Sequence, residues 1–366
     1  MTIDYAKSLS NLRLRRNGVS EGLVTVEAAL AKSERYERRA STTATRYALG
    51  AMQEVDPDYT RVGIEEADRV IEQLTSGLRD VGTYAEYKLQ GSVPLNVHIR
   101  GASDVDLLVL LGPWLTYDRA GPRANSYTAY TGTVSVLQDV KDLRINCEDI
   151  LTRRYWGAKV DTTGDKSIKL SEGSFKRQID VVPSHWNDSA EYQASASEAD
   201  RGVCILHKSR GETISNLPFR HIARINAKDG ETNGGAKRAI RLLKNLKADT
   251  DRPIDLSSYD IAALMWHCDP RLIRMLPGYE LVVLAGTDAH LAALASNYTN
   301  TSALETPDGT RRIIDKPGKF DSLVALSAEV SALADAVLVE LQPLQKAIIN
   351  EQEAVRRLLR DHAIAD

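Results

Sequence analysis

This sequence has few cysteines and a small net charge. Its 366 residues include 3 cysteines, at positions 147, 204 and 268, with no C-x-x-C pair among them. This spacing argues against a disulfide framework or a zinc ribbon, and it fits a reducing cytoplasm. The 47 Lys and Arg residues balance 50 Asp and Glu residues to a formal charge of −3. The protein therefore has no overall positive electrostatic field that would favour binding of nucleic acid, and any basic surface must be local.

Long hydrophobic runs are also missing at the level of the sequence. The amino terminus has basic residues but no apolar stretch of the roughly 7–15 residues that a signal peptide needs. Val105–Leu111 and Tyr279–Ala285 are the longest apolar runs that we single out. Both fall far short of the roughly 20 residues of a membrane span. We therefore expect a cytoplasmic protein without a membrane partner.

The chain changes character twice along its length. Helical spacing of apolar residues predicts helices at Val24–Val55, Ile64–Leu78, Val134–Tyr155, Gly235–Ala248, Ser257–Cys268, Glu280–Ser296 and Asp321–His362, the last bent at Pro343, with Asn297–Lys319 a hairpin or loop. Short β-rich runs at Val105–Leu111, Ser167–Leu170, Gln178–Val182 and Val203–His207 lie between them. The order lacks the regular βαβα alternation of a doubly wound fold. We predict an α+β protein of two lobes with a cleft, divided into residues 1–216 and 217–366.

Two acids open the first apolar strand. Because strand side chains alternate, Asp104 and Asp106 project to one face while Val105, Leu107 and Val109 take the other. An isolated D-x-D is more often a turn with a solvated residue. A third acid, Asp180, however, lies inside another apolar strand, where an unpaired carboxylate is costly to bury.

Three converging carboxylates require hard cations. Mg²⁺ or Mn²⁺ prefer oxygen ligands, and two such ions clamp the attacking and leaving oxygens in phosphoryl transfer. Gly91 and Ser92 complement this apparatus, since glycine permits close backbone approach to phosphate and serine offers an N–H and a hydroxyl. These residues predict a two-metal phosphoryl-transfer site.

This pattern resembles the nucleotidyltransferases of the DNA polymerase β superfamily, and within it the cyclic GMP-AMP synthase-like (CD-NTase) enzymes. Gly91-Ser92, Ser103-Asp104-Val105-Asp106 and Asp180 match the family motif. The intervening loop departs from it, with Asn96-Val97 where many members have Gly-Thr. The resemblance implies the bilobed polymerase β-like fold, with a mixed β-sheet lobe, a helical lobe and an active-site cleft.

The resemblance extends to a basic helix in the second half. Lys237, Arg241 and Lys244 share one helix face, which in an arbitrary helix is more often solvated and idle. In CD-NTases a lysine of this helix reaches the triphosphate, and a Ser-Tyr on the next helix contacts phosphate and stacks on a base. Lys244, Ser258 and Tyr259 match that arrangement.

The resemblance implies a Mg²⁺-dependent enzyme that converts nucleoside triphosphates, ATP among them, into a cyclic di- or oligonucleotide messenger of antiphage signalling, which switches on an effector. Asp104, Asp106 and Asp180 would bind two ions of Mg²⁺ or Mn²⁺. No His/Cys cluster for a DNA-gripping zinc insertion is seen, so DNA activation is not expected. Two alternatives stay open: nucleotide addition to RNA or protein, and a nucleotide-binding regulatory module without catalysis.

Overall fold

The computed structural model describes residues 4–18, 25, 34–101, 103–128, 134–349 and 351–364. Its helices are α1 (Tyr5–Asn17), α2 (Arg35–Arg38), α3 (Thr43–Met52), α4 (Pro57–Asp80), α5 (Val136–Arg154), α6 (Ala190–Ser195), α7 (Pro218–Glu231), α8 (Gly235–Asp249), α9 (Ser258–Trp266), α10 (Pro270–Ile273), α11 (Leu281–Ala295), α12 (Tyr298–Ser302), α13 (Lys319–Leu341), α14 (Pro343–Ile348) and α15 (Gln352–Arg360). Its strands are β1 (Ala85–Gln90), β2 (Val105–Tyr117), β3 (Lys159–Asp161), β4 (Ile168–Ser171), β5 (Ile179–Asp188), β6 (Gly202–His207) and β7 (Glu212–Asn216). Short 3₁₀ turns lie at Ala124–Ser126 and Glu198–Asp200.

The chain forms two compact units whose boundaries differ from the predicted 1–216 and 217–366. A sheet unit contains Asp56–Leu95 and Ser103–Ala223, and a helical unit contains Met1–Val55, Asn96–Ala102 and Arg224–Asp366. Helices α1, α2 and α3 therefore belong with the carboxyl-terminal helices, whereas α4 belongs to the sheet unit. The physical reason is packing, because α1 and α8 both lie against α3.

The sheet unit contains one mixed sheet. Its strands run in the order β1-β2-β5-β4-β3, and β6 and β7 extend from the far part of β5. The β2–β5 pair is parallel, and the other strand pairs are antiparallel. The predicted mixed α+β architecture is confirmed.

Apolar side chains cover the sheet unequally. On one face Val105, Leu107 and Val109 are fully buried in a core that α4 and α5 help to form. On the other face Leu108 and Leu110 are also buried, in a smaller core with Val182, Trp186 and Val203. Asp104 and Asp106 precede Leu108 on that second face, so the carboxylates lie where the smaller core ends.

Two predicted helical segments and one predicted hairpin or loop differ from the structure. In Val24–Val55, α2 and α3 are separate helices with a break at residues 39–42, and residues 26–33 lie outside the described residues. Asp321–His362 comprises three helices, since Pro343 begins α14 and residues 349–351 precede α15. Asn297–Lys319 includes the short helix α12 and a bridge between Glu305 and Arg312.

Helix α13 is more apolar than the sequence analysis recognised. It is the one helix of the described residues that is long and apolar enough to cross a membrane, with a mean hydropathy of 1.8 over an 18-residue window. Leu323, Leu326 and Val330 are fully buried within the helical unit, as in the core helix of a globular protein. Ser and Glu residues interrupt the apolar run, which is why it does not stand out as one block.

A buried carboxylate fixes the start of α9. Asp260 is fully buried and accepts hydrogen bonds from Ser257, whose own hydroxyl caps the helix. Arg311 Nη2 lies 2.7 Å from Asp260 Oδ1, and Lys319 Nζ lies 3.0 Å from Oδ2. Burial by itself raises the pKa of Asp260, but the hydrogen bonds from Ser257, Arg311 and Lys319 outweigh it and lower the pKa below 3.8.

The depressed pKa of Asp260 predicts how the stability of the protein depends on pH. An acid with a depressed pKa stabilises the fold above its unfolded pKa, about 3.9, and loses that contribution as the pH falls through the folded pKa. We expect Asp260→Asn to reduce the free energy of unfolding by about 3–5 kcal/mol at pH 7, as for breaking a buried ion pair. The difference from wild type should shrink below about pH 4. Urea unfolding across pH checks this, with the exposed Asp321→Asn as the control; a difference independent of pH would contradict it.

Candidate active site

The parallel pairing of β2 with β5 brings two of the three acids together. Asp106 and Asp180 are direct partners in the register of these strands. Partners in register point to the same face of a sheet, so the two carboxylates are neighbours. Both side chains are half-buried. Asp104 immediately precedes β2, two residues before Asp106, and its side chain is exposed.

Gly91 lies against Asp106 because β1 pairs with β2. Gln90, the last residue of β1, is the register partner of Asp106, and Gly91 follows it with φ +77°. A Cβ at Gly91 would lie 2.2 Å from Asp106 Oδ2. A side chain at position 91 would strain the backbone and displace the Asp106 carboxylate, which favours glycine here. Ser92 follows in the same turn.

Gln178 and Ser167 complete the carboxylate cluster, and the sequence analysis overlooked both. Gln178 Nε2 donates to Asp104 Oδ2 at 3.0 Å and to Asp180 Oδ1 at 2.8 Å. Ser167 Oγ donates to Asp180 Oδ2 at 3.1 Å. Gln178 precedes Asp180 by two residues. The strand alternation that places Asp104 and Asp106 on one face therefore also predicts that Gln178 and Asp180 share a face.

The donors in this cluster suit a hard cation. Carboxylate oxygens are the ligands that Mg²⁺ and Mn²⁺ prefer, and Asp104, Asp106 and Asp180 supply them on one edge of two strands. The described residues nevertheless contain no group of three His, Cys, Asp or Glu side chains already gathered for a metal. In this structure the Gln178 amide joins Asp104 to Asp180.

The predicted phosphate-binding lysine lies in the helical unit and is buried. Lys244 is 4% exposed, and its Nζ donates to Val97 O at 2.9 Å. Arg241, 2% exposed, donates to Asn96 O at 2.7 Å and to Met52 O at 2.9 Å. This basic helix face is therefore neither solvated nor idle. It holds the segment that links the Gly-Ser motif to the D-x-D motif, and Asn96 there has φ +53°.

Two features show the cost of burying these cations. Burial lowers the pKa of Arg241 to about 10. Arg241 donates to the backbone carbonyls of Met52 and Asn96, and the Glu54 carboxylate lies farther away, at 3.9 Å. Buried cations are usually paired with carboxylates. Here Arg241 and Lys244 donate to the carbonyls of Asn96 and Val97, so the position of residues 96 and 97 depends on α8.

Ser258 and Tyr259 occupy the first turn of α9, also in the helical unit. Ser257, not Ser258, caps the helix, so the Ser258 side chain is exposed and is not used for capping. Tyr259 is half-buried, with the Arg311 guanidinium 5.5 Å from its ring centroid. Burial and the neighbouring Asp308 raise the pKa of Tyr259, which keeps the phenol neutral.

Comparisons with known proteins agree on one family. The sequence matches no family model. It is 39% identical over 359 residues to the cyclic dinucleotide synthase CdnE of Yersinia aleksiciae, covering 92% of this chain and 93% of that protein. It is 30% identical over 354 residues to a c-di-GMP synthase of a Lachnospiraceae bacterium, covering 90% and 97%. The chain belongs to the CD-NTase family.

Solved CD-NTase structures support the same assignment. The STING-associated CdnE c-di-GMP synthase from Capnocytophaga granulosa has a TM-score of 0.72 and 29% identity, covering 90% of this chain and 97% of that chain. A STING-associated CdnE c-di-GMP synthase from Flavobacteriaceae sp. has a TM-score of 0.74 at 24% identity, covering 92% and 99%, and supports the fold. The predicted family, fold and enzyme class are confirmed: this CD-NTase is a nucleotidyltransferase that makes a cyclic nucleotide from nucleoside triphosphates.

Lys244 can be tested against its neighbour one turn along α8. We expect Lys244→Met to raise the KM for nucleoside triphosphates at low ionic strength, because it removes the predicted charge-assisted contact to phosphate. Lys247→Met is the matched control, since Lys247 Nζ also donates to a carbonyl, Leu256 O, at 2.6 Å. Steady-state kinetics and thermal melting measure both effects. A lower melting temperature with an unchanged KM would assign Lys244 to the Val97 contact alone.

Proposed function

We propose that this CD-NTase joins two nucleoside triphosphates into a cyclic dinucleotide at Asp104, Asp106 and Asp180, with Mg²⁺ or Mn²⁺ as cofactor. The observation that carries the site is the register match of Asp106 with Asp180 on parallel strands, beside a glycine whose replacement would displace the Asp106 carboxylate. Two bound ions would neutralise the carboxylates and stabilise charge on the reacting phosphate.

The side chains around the cluster have complementary tasks. Asp104, Asp106 and Asp180 would hold the two ions, and Ser167 and Gln178 orient Asp180 through its two oxygens. The hydroxyl of one nucleotide attacks the α-phosphorus of the other, the bond to pyrophosphate breaks, and Asp180 accepts the hydroxyl proton. The Gly91-Ser92 turn would place the Ser92 N–H and hydroxyl on the donor triphosphate. Repeating the step on the second triphosphate closes the ring.

The choice of base is a further part of the proposal. Two relatives at 30% and 34% identity are c-di-GMP synthases, which supports GTP as the first substrate to test. ATP, which the resemblance implies is among the substrates, stays a prediction. We further propose that the product acts in the cytoplasm as a messenger that switches on an antiphage effector, without activation by DNA.

Mass spectrometry of the product tests the proposed chemistry. We expect wild-type protein with the four nucleoside triphosphates and Mg²⁺ or Mn²⁺ to yield a phosphatase-resistant cyclic dinucleotide. Asp106→Asn should yield at least about 100-fold less, because it removes a negative oxygen ligand without changing the side-chain shape. The control is Asp149→Asn, an exposed acid on α5 paired with Arg153. Linear oligonucleotides alone, or full activity of Asp106→Asn, would contradict the proposal.

Tyr259 tests the base-binding part of the site. We propose that its ring stacks on a base with Arg311 beside it, so Tyr259→Phe should bind triphosphates normally. Tyr259→Ala should weaken binding by about 1–3 kcal/mol, the usual value for one base stacked on an aromatic ring. Isothermal titration and melting of both variants separate stacking from packing. A Tyr259→Ala protein that melts early yet binds normally once folded would exclude stacking.

A further inference from the structure

The Gln178 amide nitrogen donates to two acids of the proposed metal site. Its Nε2 donates to Asp104 Oδ2 at 3.0 Å and to Asp180 Oδ1 at 2.8 Å. A primary amide nitrogen carries two hydrogens, so these two bonds use its full donor capacity. Asp104 precedes β2 and Asp180 lies on β5, and Gln178 therefore links the two acids across the strand pair.

The electrostatic need for such a link follows from the arrangement of the acids. Carboxylates held close together repel one another when no cation lies between them. A donor shared by two carboxylates offsets part of that repulsion and limits the positions that the exposed Asp104 side chain adopts. Ser167 binds the other oxygen of Asp180, so that carboxylate is held from both sides.

We infer that Gln178 is a positioning residue, which donates to both Asp104 and Asp180, holds the two carboxylates in place and thereby prepares the pair for metal binding. This inference rests on the proposed function, because it assumes that the two acids bind metal. Partners that orient metal ligands typically affect metal affinity by 10–100-fold when they are removed. The side chain of Gln178 is expected to act on metal affinity through Asp104 and Asp180.

Metal binding without turnover is the appropriate test. Mn²⁺ alone is titrated into the full chain and the free ion is followed by electron paramagnetic resonance, with melting in EDTA as a second measurement. We expect Gln178→Ala to raise the Mn²⁺ dissociation constant about tenfold. The matched control is Gln138→Ala, which removes a Gln–Asp hydrogen bond of 2.8 Å, to Asp142, on the exposed face of α5.

A second variant distinguishes the loss of the Gln178 hydrogen-bond donor from the loss of the folded structure. Gln178→Glu keeps the length of the side chain but replaces both N–H groups by a fourth carboxylate. We expect it to melt below wild type in EDTA and to gain more from saturating Mn²⁺ than wild type does, because the ion then offsets the added repulsion.

The outcomes distinguish the inference from the proposed function. If Gln178→Ala binds Mn²⁺ as well as wild type or better, Gln178 does not prepare the site, while the metal site itself stands. If wild type and Asp106→Asn both fail to bind Mn²⁺ at millimolar concentration, the metal site fails and the inference fails with it. A change of equal size in Gln138→Ala would also overturn the inference.

Discussion

Repulsion between neighbouring carboxylates is the constraint that the proposed site depends on. The parallel pairing of β2 and β5 puts Asp106 beside Asp180, between the apolar register pairs Val105–Ile179 and Leu107–Val181. The surrounding structure accommodates the charges in three ways. The smaller apolar core begins only beyond them, Gly91 leaves room beside Asp106, and Gln178 and Ser167 donate hydrogen bonds to Asp180. Each of these arrangements lowers the cost of keeping acids together before a substrate arrives.

Local patterns predicted the two strands on which Asp106 and Asp180 lie. Strand alternation is a property of two or three residues, so the shared face of Asp104 and Asp106 was predictable from the sequence, and the apolar setting of Asp180 pointed to a second strand. The glycine requirement at Gly91 was predicted as close approach to a phosphate. The structure adds a reason within the protein, the contact with Asp106.

Contacts between distant segments were beyond the sequence. The sequence pattern predicts that Lys244 lies on an exposed basic helix face. In the structure Lys244 is buried against residues 96 and 97, and it donates to Val97 O almost 150 positions away. Likewise Asp260 looks like an ordinary capping acid until Arg311 and Lys319 are seen to pair with it. A one-dimensional pattern records which residues are amphipathic, but not which backbone carbonyl or cation will face them.

The two units interleave along the chain, and this has a consequence for how the protein can be divided. The helical unit takes residues 1–55, 96–102 and 224–366, so the backbone passes between units four times. Truncation at residue 216 would remove α8, against which α3 and residues 96 and 97 are held. Neither unit is a continuous segment that a gene fusion or a single deletion could transfer intact. Recombination within this family is therefore expected to exchange surface loops or whole chains, and not halves.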